Sequence, residues 1–136
     1  MRRTSTHGRI AVGKAVLGAF IVAFFIKFFL LDLMVAEGHS MDPVIKPGTV
    51  LIVSRIFYGI RLPWSGSYIV QWKNVREGDV VVFYTPHGDI AVKRCVEILR
   101  DETFYARGDN SSQSYDSRNY GPIPKSSIIG RVLGIR

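Results

Sequence analysis

Three segments of the chain carry residue types that could support nucleophilic chemistry. The first is Gly38-His39-Ser40-Met41-Asp42-Pro43. Gly38 and Pro43 bracket a tight, polar turn that would expose the Ser40 hydroxyl. The same hexapeptide also reads as an ordinary linker. A serine is a weak nucleophile until a neighbour takes its proton. Where that neighbour is a histidine, a carboxylate usually orients the ring. The second segment offers another base. Lys93 lies in the run Ile90–Ile98 and, at a period of two, shares a face with Ala91 and Cys95, while Arg94 points to the other face. A lysine cation on a dry face is costly, so its pKa falls and the neutral amine becomes accessible. A neutral amine beside a serine is the Ser-Lys form of nucleophilic catalysis. An edge-strand lysine with a solvated head is the bland alternative. The third segment, residues 108–118, reads GDNSSQSYDSR and holds Ser114, Asp116, Ser117 and Arg118. It is either a solvated, turn-rich loop or one that holds a lysine amine by a serine hydroxyl and braces itself through an Asp–Arg pair.

These segments need elements to position them. The chain has 136 residues, room for one domain. With 47% hydrophobic and 21% charged residues, it is neither a disordered tail nor a collagenous repeat. Its formal charge is +7. Residues 1–36 hold Arg2, Arg3, Arg9, Lys14 and Lys27 against Asp32, so the excess gathers beside the most apolar segment. That segment, AVLGAFIVAFFIKFFLL at 15–31, contains one charge and extends to Val35 at the further cost of Asp32. Twenty-one helical residues span roughly 32 Å, enough for a bilayer core. Lys27 and Asp32 lie near one end, where side chains snorkel. A cleaved signal peptide has a shorter apolar core and small residues at its cleavage site, unlike Met34-Val35-Ala36-Glu37 here. A core helix would need more than the remaining chain to surround it. The expectation is a basic cytoplasmic N-terminus at 1–14, a transmembrane anchor at 15–35 and an extracytoplasmic domain at 36–136.

Beyond the anchor the pattern becomes short apolar runs cut by Gly and Pro. Val50–Val53, Tyr68–Trp72, Val80–Tyr84, Ile90–Ile98, Thr103–Ala106 and Ile128–Ile135 read as strands. No later segment sustains a helical period. The expected fold is mainly β, a small antiparallel, barrel-like sheet on one N-terminal helix. The aromatic-rich stretch at 55–72 is a packed loop or a surface that dips into lipid headgroups. The single cysteine, Cys95, excludes an internal disulfide and a cysteine metal site, and His7, His39 and His87 show no metal spacing.

Together the segments resemble the bacterial type I signal peptidases, over nearly the whole chain and in that family's order. After an apolar anchor come Ser40-Met41-Asp42-Pro43, then Arg55-Ile56-Phe57-Tyr58-Gly59 and Gly78-Asp79-Val80-Val81-Val82-Phe83. Lys93-Arg94 follows, then Gly108-Asp109-Asn110 with Ser114-Tyr115-Asp116-Ser117-Arg118. The resemblance implies a Ser-Lys endopeptidase that removes signal peptides from exported preproteins at the outer face of the cytoplasmic membrane. It implies Ser40 as nucleophile and oxyanion donor through its backbone N–H, Lys93 as general base, and Ser114 as the holder of the Lys93 amine. Asp116 and Arg118 would support the site. Small apolar pockets would accept Ala-x-Ala cleavage signals, lined by position by Met34, Ala36, Met41, Ile45 and Val92. No metal or cofactor is implied. Gly38 stands where some members carry a hydroxyl as second oxyanion donor, and only residues 94–107 separate two boxes that many members hold far apart. The eukaryotic and archaeal branch has histidine in place of Lys93.

Other readings compete. A specialised pilin or conjugation processing peptidase would use the same residues on one substrate. The self-cleaving repressors of the DNA-damage response share the dyad but need a DNA-binding part. A membrane-tethered β module without activity would not need a serine and a lysine in these boxes. Nucleic acid is a poor partner, because the basic excess belongs to the apolar segment's flank rather than an aromatic-lined patch.

Overall fold

A computed structural model describes residues 6–25, 30–61 and 68–135. Arg2, Arg3, Lys27 and the middle of the aromatic stretch, 62–67, lie outside the described residues. The chain opens with helix α1 (Thr6–Phe25). The expected anchor at 15–35 is corrected at its far end, because Leu31–Val35 is a strand, β1. Among the described residues no helix is long and apolar enough to cross a membrane. The physical reason for the change from helix to strand lies in partners that an apolar run does not reveal. β1 pairs antiparallel with β2 (Val50–Ser54), placing Asp32 opposite Val53 and Met34 opposite Leu51. Asp32 then accepts from the Arg55 guanidinium at 2.5 Å. Leu31, Leu33 and Val35 alternate outward while Asp32 and Met34 are half-buried, the period of a strand.

The remaining elements are β3 (Gly59–Arg61), β4 (Tyr68–Gln71), β5 (Val80–Tyr84), β6 (Ile90–Ile98), β7 (Thr103–Arg107), α2 (Ser117–Tyr120), β8 (Ile123–Pro124) and β9 (Ile128–Ile135). Seven strands form one antiparallel sheet in the order β1-β2-β9-β5-β6-β7-β8, and β3 and β4 form a separate hairpin. Register shifts between Ile52 and Val53, Val82 and Phe83, and Cys95 and Glu97 interrupt the ladders. Such irregularities sharpen the local twist, which curls a sheet. The six expected strands are all present, so the mainly β reading holds.

Strand β5 explains how a sheet this small is stabilised. Its run Val81-Val82-Phe83 is fully buried on both faces. Val81 and Phe83 join Tyr58, Cys95, Phe104, Ile123 and their neighbours in one core. Val82 joins Ala36, Met41, Ile45, Leu51 and Val53 in the other. The first core also buries a polar tie. The Tyr58 hydroxyl donates to Asp79 at 2.9 Å, and Arg131 pairs with the second Asp79 oxygen at 2.9 Å. Burial first, and then the Asp79 carboxylate, push the Tyr58 phenol far above its usual range, so it stays a donor. Phe104 packs edge-on against Phe83 at 5.8 Å. Because Phe104 is completely buried, Phe104→Ala is expected to cost about 3–5 kcal/mol, read as a fall in the denaturant midpoint.

Candidate active site

The hexapeptide after β1 turns back on itself. Gly38 sits at φ +75°, a backbone conformation that disfavours side chains, so this position favours glycine over a hydroxyl residue. The Ile45 N–H donates to the Met41 carbonyl at 2.9 Å and closes the following turn. Met41 and Ile45 anchor that turn in the second core, and Ser40 stays half-buried above them. His39 is exposed, and its Nδ1 lies 2.8 Å from an Asp42 carboxylate oxygen. The Asp42 carboxylate thus engages one ring nitrogen of the histidine beside the serine.

Lys93 approaches from β6. Register places it opposite Val81, on the face of Ala91 and Cys95. It is only 6% exposed, and its Nζ lies 2.5 Å from the Ser40 Oγ. Burial lowers the amine's pKa, while the charge of Asp116 pulls it partly back. A buried amine at this distance from a half-exposed hydroxyl can take its proton.

The loop after β7 completes the constellation. The Asn110 N–H donates to the Ser40 carbonyl at 3.0 Å. A Cβ on Gly108 would lie 2.3 Å from both the Ser40 carbonyl oxygen and the Ser114 Oγ, so only glycine lets the loop close on the turn. The Ser114 hydroxyl donates to Asp116 at 2.6 Å. Its oxygen keeps acceptor capacity. Asp116 is wholly buried. It caps α2 in a capping box with Asn119 and also accepts from the Gly108 N–H and, in bidentate fashion, from the Arg118 guanidinium. The expected Asp–Arg brace is thus present. Arg94, on the opposite face from Lys93, makes a second brace. Its guanidinium grips both Asp109 oxygens at 2.8 and 2.7 Å and reaches the Gly78 carbonyl. Sequence reasoning did not assign Arg94, Asp109 or Gly108 a part; their adjacency to Lys93 and Asn110 was the available signal.

A groove of about 440 Å³ runs beside Ser40 and Lys93. All five residues expected to line substrate pockets, Met34, Ala36, Met41, Ile45 and Val92, line it. Glu37 and Ile90 line it too and were not foreseen. One wall is β1, which has no strand partner on its outer side among the described residues. The other is Ile90–Lys93, the part of β6 that lies before its pairing with β7 begins at Arg94. Among the described residues no group of His, Cys, Asp or Glu could hold a metal ion.

Asp116 sets an acid limit on this arrangement. Burial pushes its carboxyl upward, but Arg118, Ser114 and the backbone N–H groups of Gly108 and Arg118 hold it well below the ordinary value of 3.8. A carboxylate depressed by folding contributes stability above its unfolded pKa and loses it as pH falls toward the folded value. Below about pH 4, unfolding free energy should therefore drop with pH, and Asp116→Asn should flatten that drop while being less stable at neutral pH. Denaturant titrations across this range measure both effects.

The family model for signal peptidase, peptidase S26, matches residues 9–98 and 95–135. Signal peptidase I of Buchnera aphidicola subsp. Baizongia pistaciae is 33% identical over 62% of this chain and 28% of its own length. A probable signal peptidase I-2 of Synechocystis sp. is 24% identical over 91% of this chain and 71% of its own. Mitochondrial inner membrane protease subunit 1 of Xenopus tropicalis is 30% identical over 74% of this chain and 66% of its own. The chain thus spans little more than a quarter of the Buchnera protein and about two thirds or more of the other two. A match over nearly all of its length, on a curled β sheet that brings the boxes together, places the chain in the signal peptidase family, peptidase S26.

Proposed function

We propose that this chain is a membrane-attached type I signal peptidase, a serine endopeptidase that removes signal peptides from exported preproteins. The observation that carries this reading is the Lys93 amine, buried and 2.5 Å from the Ser40 hydroxyl beside a groove of small and apolar side chains. An extended peptide lying between the free edges of β1 and Ile90–Lys93 would gain backbone hydrogen bonds, as added strands do. Its small alternate side chains, the two alanines of Ala-x-Ala, would enter the pocket of Met34, Ala36, Met41, Ile45 and Val92. In the first step the Ser40 Oγ attacks the scissile carbonyl carbon as its proton passes to the neutral Lys93 Nζ. The backbone N–H of Ser40 donates to the oxyanion. The Lys93 ammonium then protonates the departing amine, leaving an acyl-enzyme on Ser40. Lys93 next takes a proton from water, whose oxygen attacks the ester carbon. The bond to Ser40 Oγ breaks, Lys93 returns the proton to Oγ, and the new C-terminal carboxylate of the signal peptide leaves. Ser114, its own proton committed to Asp116, offers a lone pair that orients the amine. Asp116 and Arg118 keep Ser114 in place.

The N-terminal region supplies the membrane attachment in this reading. The side chains at 11–25 are all exposed and apolar for the most part. A helix hydrophobic all round is a helix that lipid or protein must cover. The basic flank of Arg2, Arg3, Arg9 and Lys14 favours a cytoplasmic N-terminus and an external catalytic domain. The chain should stay with the membrane fraction after alkaline carbonate washing. Release into the supernatant would refute attachment through an inserted segment.

The chemistry is tested by purified enzyme on an Ala-x-Ala peptide. Ser40→Ala and Lys93→Met should each fold and lose activity by more than about a thousandfold. The wild-type rate should rise with pH along one limb and level off below the ordinary lysine value of 10.5, because burial lowers the pKa and loss of the proton creates the base. A limb centred near about pH 6.5 would instead name a histidine as base, and His39 would replace Lys93 in the mechanism.

A further inference from the structure

Glu37 is the one acidic side chain among the described groove-lining residues. It is exposed, and among the described residues it makes no hydrogen bond or ion pair. Its position follows from the alternation that begins in β1. Met34 is half-buried and Ala36 enters the second core, while Val35 and Glu37 are exposed and line the groove. The positive end of the site is spoken for. Arg94 and Arg118 are committed to Asp109 and Asp116, and Lys93 lies buried against Ser40. The groove thus has an apolar floor and a single unpaired carboxylate at its rim.

We propose that Glu37 is a specificity-determining residue that favours a basic side chain at the middle position of the cleaved Ala-x-Ala sequence. This rests on the peptidase reading and goes beyond it. A peptide lying along β1 in extended form has the same period of two as β1. When its two small side chains point to the floor with Met34 and Ala36, the residue between them points outward on the side of Glu37. Small pockets select the alanines by excluding bulk, but they cannot read the outward residue. A free carboxylate can, by attracting lysine or arginine and repelling aspartate or glutamate. The site is open to water, so the effect is that of an exposed ion pair rather than a buried one.

The test uses three peptides identical except for lysine, glutamine or glutamate between the alanines, cleaved by the full chain in detergent. We expect kcat/KM in the order lysine, glutamine, glutamate, with steps of about two- to fivefold that shrink as salt is raised. The lysine-to-glutamate ratio should fall toward one in Glu37→Gln and invert in Glu37→Lys. Because each ratio is taken within one enzyme, a general loss of activity in a variant does not enter it, and the wild-type order and its salt dependence stand if a variant fails to fold. Equal cleavage of the lysine and glutamate peptides by wild type, or a preference that persists in Glu37→Lys, overturns this assignment alone. Cleavage of none of the three overturns the peptidase reading beneath it.

Discussion

A lysine amine held against a serine hydroxyl is the contact around which this fold is organised. Two conditions make it. The amine must be drawn out of water, and the serine must be brought within reach of a strand more than fifty residues away in sequence. Burial on β6 meets the first condition and lowers the Lys93 pKa. The second depends on three pieces of backbone meeting at one point. The turn after β1 carries Ser40, the loop after β7 supplies the Asn110 N–H to its carbonyl, and Gly108 permits the closeness of the two. Any side chain at Gly108 would collide with the Ser40 carbonyl and the Ser114 hydroxyl together.

The two faces of β6 divide the work. Lys93 turns to the dry side, and Arg94, one residue on, turns to the other and grips Asp109 and the Gly78 carbonyl. Arg94 thereby fixes the loop that fixes Ser40, from the same strand that presents the amine. The two cations are not interchangeable. A guanidinium remains charged at any working pH and suits a bidentate carboxylate partner, whereas an amine can be neutralised by burial. Gly78 and Asp79 then tie this strand back to the core. Cys95 and the Gly78–Asp79 turn exchange backbone hydrogen bonds, each 2.8 Å, while the Asp79 side chain accepts from Tyr58.

Much of this was legible in the chain itself. Six strands announced themselves as β-branched runs between glycines and prolines, because that composition and that punctuation are local properties. The facing of Lys93 with Ala91 and Cys95 followed from the period of a strand, and the pocket residues followed from their position beside the boxes. β1 was hidden for a physical reason. Its apolar residues continue those of α1 without a break, and what makes it a strand is its pairing with β2 and the Asp32–Arg55 contact, both non-local. Arg94–Asp109 was hidden likewise, since the partners come together only when β6 and β7 pair. β3 and β8 are too short to carry a periodic signal. Ser114 was expected to hold the Lys93 amine. Its hydroxyl proton goes to Asp116, and its lone pairs stay available to an amine donor.

Asp116 brings a negative charge near a lysine that the proposed mechanism needs neutral, and that charge raises the amine's pKa against the effect of burial. The carboxylate is tolerable because its lone pairs are already engaged. Arg118 takes it in a bidentate pair, the Ser114 hydroxyl and the Gly108 N–H bond to the same oxygen, and the α2 backbone takes the other. A carboxylate so engaged keeps its geometry while most of its field falls on Arg118 rather than on Lys93. The alternative, an unpaired buried carboxylate, would be costly in itself and would favour the lysine cation. Arg118 thus has an electrostatic part as well as a mechanical one. It lets a charged residue build the loop without handing its charge to the Lys93 amine.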